Sequence, residues 1–209
     1  MDLILIACCK DKSFGGTPEY SSAVIEELLS PSTFTRLLSI RKALSQIKNI
    51  SPGVDLGAER TQDRILYRPA YLRYDGRVYE RSQFKYLYPA AKNLKVLIIS
   101  ALYGVVDAND PIRLYEAVMD ETLPNHSRLS TWWKQQELGK IVEEIILDIH
   151  PHRVHDLLSM VYRSALTPWP PVRLDAAGIQ YVPYDYPGQG TGSLWHRGDD
   201  LKRLLMANK

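Results

Sequence analysis

Apolar positions along the chain fall into two rhythms. Leu3 to Ala7, Lys95 to Ser100, Arg153 to Leu158 and Ile179 to Tyr184 are short apolar runs of strand length. The first two are unbroken, as strands covered on both faces should be. His155 and Asp156 interrupt the third run. Pro183 has no N–H to give a ladder, which pushes the fourth toward a sheet edge. Between the runs the period lengthens. Ser32 to Lys48 sets Phe34, Leu37, Leu38, Ala43, Leu44 and Ile47 largely on one face, with Ser32 or Thr33 as N-cap. Ser130 to Ile149 does the same with Trp133, Leu138, Ile141, Ile145 and Ile149, and stops before Pro151. A last helix is read from Ser193 to Met206. Ser51 to Arg68 is polar and irregular, and Pro168, Pro170 and Pro171 mark another loop.

Strands alternating with helices predict an α/β fold: one domain, residues 1–209, with a central mixed sheet of about four or more strands flanked by helices. No internal repeat or low-complexity segment interrupts it.

Composition narrows the class. At 209 residues, 45% hydrophobic and 24% charged, the chain suits a soluble globular protein with a full core. A net charge of +2 neither requires nor excludes a nucleic-acid partner, because a local basic face can hide in a balanced total. Cys8 and Cys9 are adjacent and cannot make a disulfide framework. Leu3 to Ala7 is too short to span a bilayer and lacks the flanks of a signal peptide. The expectation is a cytoplasmic enzyme or binding protein with no membrane partner. No oligomeric state is legible.

Ligands of open α/β sheets sit where strand ends converge, so strand-end residues are the first candidates. The first strand ends in Cys8-Cys9-Lys10-Asp11-Lys12, and the second in Ser100-Ala101-Leu102-Tyr103-Gly104. The third ends in Ser159-Met160-Val161-Tyr162, and the fourth runs into Gly188, Gly190 and Gly192 ahead of the last helix. A cysteine beside lysines is a candidate thiolate nucleophile, and a confined lysine a candidate base. The competing reading has both thiols in the core and both lysines in water. A glycine-rich loop before a helix can cradle phosphate, though it matches no Walker or GxGxxG spacing and also reads as a plain flexible loop. Tyr71 to Tyr79 interleaves aromatics with Arg73 and Arg77, which suits stacking and phosphate contact; its Asp75-Gly76 is equally an ordinary turn. His150, His152 and His155 lack ligand spacing, so neither metal nor cofactor is expected.

In their order along the chain these segments resemble the YaaA peroxide-stress protein family. The resemblance is carried by the strand and lysine loop of Leu3 to Lys12, by Pro69 to Tyr79 with its aromatic-Asx-Gly-x-Val-Tyr core, and above all by Ser100 to Tyr115. Met119 and Leu123 continue the pattern, followed by a helix led by Trp132 and Trp133 and by Leu158-Ser159-Met160-Val161-Tyr162. Two departures stand out. The family's Ser-Pro-x-Lys loop is here Cys8-x-x-x-Lys12, and Glu116 replaces the Arg after Tyr115. The Cys-x-x-x-Lys spacing is similar to that of a related group of small bacterial proteins. It also looks like the Pro-Cys-x-x-x-Lys loop of archaeosine-synthase-type domains, which belongs to a deazapurine-handling site, with Ala7 in place of its proline.

The resemblance implies an α/β fold with a positively charged, DNA-binding cleft linked to protection from oxidative damage. On that footing the leading expectation is a nucleic acid or nucleotide bound across the strand ends. Lys10, Lys12, Arg73 and Arg77 would contact phosphate, Arg81 would add to the charge of the cleft, and Tyr74, Tyr79 and Tyr103 would stack. Ser100, Gly104, Tyr115, Ser159, Tyr162, Gly190 and Gly192 would complete the site. The rival is an enzyme acting on a nucleobase or nucleoside. It would use Cys8 or Lys12 as nucleophile and Asp75 or Asp107 as acid or base. A protein-interaction module would rest only on exposure of Trp132 and Trp133.

Overall fold

The computed structural model describes residues 1–61 and 64–208. Its strands are β1 (Asp2–Ala7), β2 (Tyr67–Pro69), β3 (Leu94–Ser100), β4 (Gly104–Asp107), β5 (Pro111–Arg113), β6 (Arg153–Asp156) and β7 (Gln180–Pro183). Five form one sheet in the order β4-β3-β1-β6-β7, and β2 pairs with β5 apart from it. β1 lies parallel to β3 (Leu5↔Leu97) and to β6 (Leu3↔Val154), β7 lies parallel to β6, and β4 runs antiparallel to β3. The sheet is therefore mixed and flanked by helices, an α/β architecture. No described helix is long and apolar enough to cross a membrane.

The continuous apolar runs do what their pattern requires. Leu3, Ile4, Leu5, Val96, Leu97, Ile98 and Ile99 are all completely buried, as central strands covered on both faces must be. β7, with Pro183, takes a sheet edge. β4 is absent from the sequence reading, because four residues after a glycine turn carry too little pattern. Its turn needs Gly104, whose φ is +73° and whose missing Cβ makes room for the Trp133 ring.

The helices that shape the site are α1 (Pro31–Ile47), α2 (Arg77–Ser82), α3 (Leu129–Gln135), α4 (Leu138–Ile149), α5 (Met160–Leu166) and α6 (Ser193–Ala207). α1 is capped by Ser30, whose hydroxyl accepts the Thr33 N–H at 3.3 Å, two or three residues earlier than a cap at Ser32 or Thr33. The expected helix over Ser130 to Ile149 is two helices, broken at Glu137, which stands at φ +59°. Asp75-Gly76 joins a short helix (Ala70–Arg73) to α2 rather than closing a hairpin.

Trp133 is wholly buried and Trp132 nearly so, which removes the footing for a tryptophan docking surface. The Trp133 indole N–H donates to the Ala101 carbonyl at 2.9 Å, fixing the peptide just beyond β3. Arg41, also buried, spends its donors on the carbonyls of Tyr103 and Val105, both at 2.9 Å, and holds the β3–β4 turn. Below it Asp55 and Arg113 form a buried ion pair that also takes the Tyr103 hydroxyl at 2.5 Å.

Candidate functional site

After β1 the chain moves outward to β3 and later returns to lay β6 on the opposite side of β1. A sheet built this way opens a crevice beyond the carboxyl ends of its two diverging strands. A cavity of about 530 Å³ lies there, lined by the end of β1, the segment after β6, the start of α2 and the first turns of α6. That volume suits a small ligand.

Cys8 occupies the cavity floor. Its N–H donates to the Ile99 carbonyl at 2.9 Å, prolonging the β1–β3 pairing by one residue and fixing the sulfur between the two strand ends. The Ala101 N–H points at Sγ from 3.3 Å. The Tyr162 hydroxyl lies 3.2 Å from the same sulfur and 3.1 Å from the Cys8 carbonyl. Tyr79 donates to the Ala7 carbonyl at 2.8 Å and forms part of the wall. Cys9 differs from Cys8: its thiol points to the Asp11 carbonyl at 3.0 Å, and burial pushes it up to about 12. Gly76 sits directly over it, since a Cβ there would come within 2.8 Å of the Cys9 Cβ.

Tyr162 is placed by a buried carboxylate that sequence reading treated only as an interruption in a strand. Asp156 accepts the Leu158 N–H at 2.7 Å, the Trp169 indole N–H at 3.1 Å and the Arg163 Nε–H at 2.9 Å, and it also takes the Tyr181 hydroxyl. Four donors onto one buried carboxylate lock the turn between β6 and α5.

Behind the floor is a second polar layer. The Tyr74 and Tyr115 hydroxyls meet at 2.8 Å, and Tyr115 lies 2.9 Å from the Ser100 hydroxyl, which accepts the Tyr103 N–H at 3.1 Å. Lys12 sits against this cluster, its ammonium 4.0 Å from the centre of the Tyr115 ring. It donates to the Cys9 and Lys10 carbonyls at 2.8 and 3.2 Å. Burial holds its pKa below the ordinary lysine value, against the opposing pull of Cys8, Cys9, Asp11 and Glu116.

Six of the residues singled out from sequence therefore share the cavity: Cys8, Lys10, Arg77, Tyr79, Ser159 and Tyr162. Lys12, Tyr74, Ser100 and Tyr115 form the layer beneath. The others lie elsewhere. Arg73 is wholly buried and donates to the carbonyls of Ser13 (2.6 Å) and Leu66 (3.0 Å), so it staples loops instead of meeting phosphate. Tyr103 is turned to Asp55, and Gly104 packs under Trp133. Asp75 faces Lys85 at 3.9 Å, and Asp107 faces Lys95 at 3.6 Å on β4. Neither carboxylate lines the cavity; the acids that do are Asp11 and Asp120. Arg81 pairs with Asp199 at 2.7 Å. Gly190 and Gly192 form a short turn before α6 with no part in the lining. Among the described residues no group of three His, Cys, Asp or Glu is placed to hold a metal ion.

Arg197 was not anticipated. It reaches the cavity from α6, donates to the Leu157 carbonyl at 3.0 Å and lies over the Tyr186 ring. Its only sequence signal is its place one turn past Leu194, on the helix face that the glycine-rich loop turns inward. The cavity lining thus carries three cations (Lys10, Arg77, Arg197) and two carboxylates (Asp11, Asp120), in otherwise mostly apolar walls.

The sequence model of the family described as peroxide stress protein YaaA matches residues 3–186, from the first strand of the sheet through the last. Helix α6, with Arg197, lies beyond the match. No curated protein matches the chain.

Proposed function

The chain belongs to the peroxide stress protein YaaA family, and we propose that its strand-end cavity binds a single nucleotide unit. Lys10, Arg77 and Arg197 take the phosphate, and the base lies against the apolar wall near Tyr79 and Tyr162. The observation that supports this reading is the cationic rim on a confined, largely apolar cavity at the switch point of the sheet. The same charge count argues against a long duplex groove. Three cations offset by two carboxylates neutralise few phosphates, whereas duplex binders set a row of them.

Titration calorimetry with nucleoside monophosphates, a short single strand and a mixed-sequence duplex, each at two salt concentrations, tests it. Binding of the mononucleotide with a salt slope no steeper than about −3 is expected. No mononucleotide binding, or tight duplex binding with a steep slope that Arg77→Ala and Arg197→Ala leave untouched, would overturn it.

A second reading, a nucleobase- or nucleoside-modifying enzyme, draws on Cys8 as a lining residue of the cavity. In it Cys8 is the nucleophile, and the acid–base work passes from Asp75 and Asp107 to Asp11 or Asp120. A mass increase on Cys8 after incubation with a nucleoside would separate it from simple binding.

A further inference from the structure

We propose that the strand-end cavity takes a ribonucleotide in preference to its 2′-deoxy counterpart, with Asp120 accepting the ribose hydroxyls. The inference rests on the nucleotide reading of the cavity and adds the sugar to it.

The lining carries Lys10, Arg77 and Arg197 together with Asp11 and Asp120. Among the described residues none of these is ion-paired, with one another or with any other group. Their neighbours along the chain behave differently. Arg81, one turn after Arg77 on α2, pairs with Asp199 at 2.7 Å, and Glu121, next to Asp120, pairs with the Lys48 ammonium. Opposite charges that share a cavity and stay apart leave both signs for a ligand. A phosphate alone meets the cations and is repelled by the carboxylates. The ligand that fits carries an anion at one end and hydrogen-bond donors at the other.

The cationic half is prepared at Arg197. Its Nε–H is spent on the Leu157 carbonyl at 3.0 Å, and its guanidinium carbon lies 4.8 Å from the centre of the Tyr186 ring. Those two contacts fix the group, and its terminal nitrogens keep their donors for phosphate oxygens.

The acidic half divides. Asp11 directly follows Lys10, and one of its carboxylate oxygens lies 3.9 Å from where a Cβ on Gly76, the residue before Arg77, would stand. It sits among the phosphate cations, and its charge also favours the Lys12 ammonium. Asp120 arrives on a separate segment, between Met119 and Glu121, with no cation beside it in the chain. The turn that carries it is pinned. The Glu121 N–H donates to the Val118 carbonyl at 3.1 Å, and the Glu121 carboxylate accepts the Val118 N–H at 3.4 Å. The Met119 and Glu121 carbonyls accept the Ser130 and Leu129 N–H groups, each at 2.9 Å. Asp120 is the exposed tip of this held turn, so a ligand that meets it orders little backbone.

A ribose presents two vicinal hydroxyls, and one carboxylate can accept both; acidic residues do this at nucleotide sites of open α/β sheets. A 2′-deoxyribose offers one hydroxyl fewer. Phosphate on the cations and the diol on Asp120 satisfy both signs at once and leave the base to the apolar wall.

Titration calorimetry of the full-length chain with AMP and dAMP, and with UMP and dUMP, tests it. Each ribonucleotide is expected to bind about tenfold tighter than its deoxy partner, which is what one hydrogen bond to a charged acceptor supplies. Asp120→Ala, with its fold checked by thermal melting, should bring both ratios to within about twofold of one, whereas Asp11→Ala should keep them near tenfold. If no mononucleotide binds, the nucleotide reading falls and this inference falls with it. If ribo and deoxy forms bind equally, the nucleotide reading stands and the ribose assignment is overturned. A ratio that follows Asp11, or a preference set by the base and not by the sugar, overturns it as well.

Discussion

The Arg163 guanidinium donates to the buried Asp156 carboxylate at 2.9 Å and so ties α5 to the carboxyl end of β6. Through that bond the sheet dictates where Tyr162 stands. Asp156→Ala removes the shared acceptor of four donors and leaves Arg163 with its exposed partner Asp185 and the backbone carbonyls of Asp156 and Tyr184. The expected cost is about 3 kcal/mol, the low end for breaking a buried pair, because Arg163 keeps an ionic partner and two carbonyl acceptors. Urea denaturation measures it. Hydrogen exchange should show faster opening of Met160 to Leu166 than of β1, and uniform loosening would speak against this local role.

Asp110 carries a pH dependence of unusual sign. Burial, reinforced by the neighbouring Asp107, pushes its carboxyl up to about 6. A carboxyl raised in the folded chain binds its proton more tightly folded than unfolded, so its contribution to stability is complete below the unfolded value of about 3.9 and is lost as pH rises through 6. A carboxyl carbon resonance for Asp110 titrating near 6 is the expected observation, moving lower in Asp107→Asn. A midpoint near that of exposed aspartates would refute it.

Lys12 titrates in the reverse sense. Its folded value is depressed, so stability rises with pH through the window from that value up to the ordinary lysine range. Competitive acetylation across pH, read by mass spectrometry, should give Lys12 a midpoint below the ordinary lysine value. A midpoint at the ordinary value would show that the Tyr115 layer does not desolvate it.

Gly104→Ala confronts two obstacles together. The residue needs φ +73°, and the new Cβ would fall 2.8 Å from the Trp133 ring. A loss of about 1–3 kcal/mol from backbone strain is expected, with further cost from displacing Trp133. Because Trp133 holds the Ala101 peptide, thermal melting and Cys8 alkylation should both change.

The sheet was legible where residues were apolar without interruption. β1 and β3 could hardly be anything else, and Pro183 declared its edge. β4 was hidden because Gly104 to Asp107 is too short to show a period, and Glu137 broke a helix whose apolar stripe continues across the break. At the site, the Cys8-x-x-x-Lys12 spacing put those two residues forward, whereas the cavity is lined by Cys8, Cys9 and Lys10, with Lys12 in the layer beneath. Spacing could not separate a rim arginine from a buried one, since nothing in Arg73 announces that its donors go to the Ser13 and Leu66 carbonyls. Nor could it place Tyr103 against Asp55, because that contact depends on how a polar, irregular segment folds back over the sheet. Arg197 lay in a helix recognised only by its length and its glycine-rich approach.

The central claim is that the cavity at the end of β1 is a nucleotide site. Its most direct test is a titration of the isotope-labelled chain with a nucleoside monophosphate, followed by amide and arginine side-chain NMR. The account predicts shifts concentrated at Cys8, Lys10, Arg77, Tyr162 and Arg197, abolished in Arg77→Glu/Arg197→Glu with the rest of the spectrum retained. No shifts at millimolar ligand, or shifts centred on Gly188 to Gly192 or on Asp55 and Arg113, would contradict it.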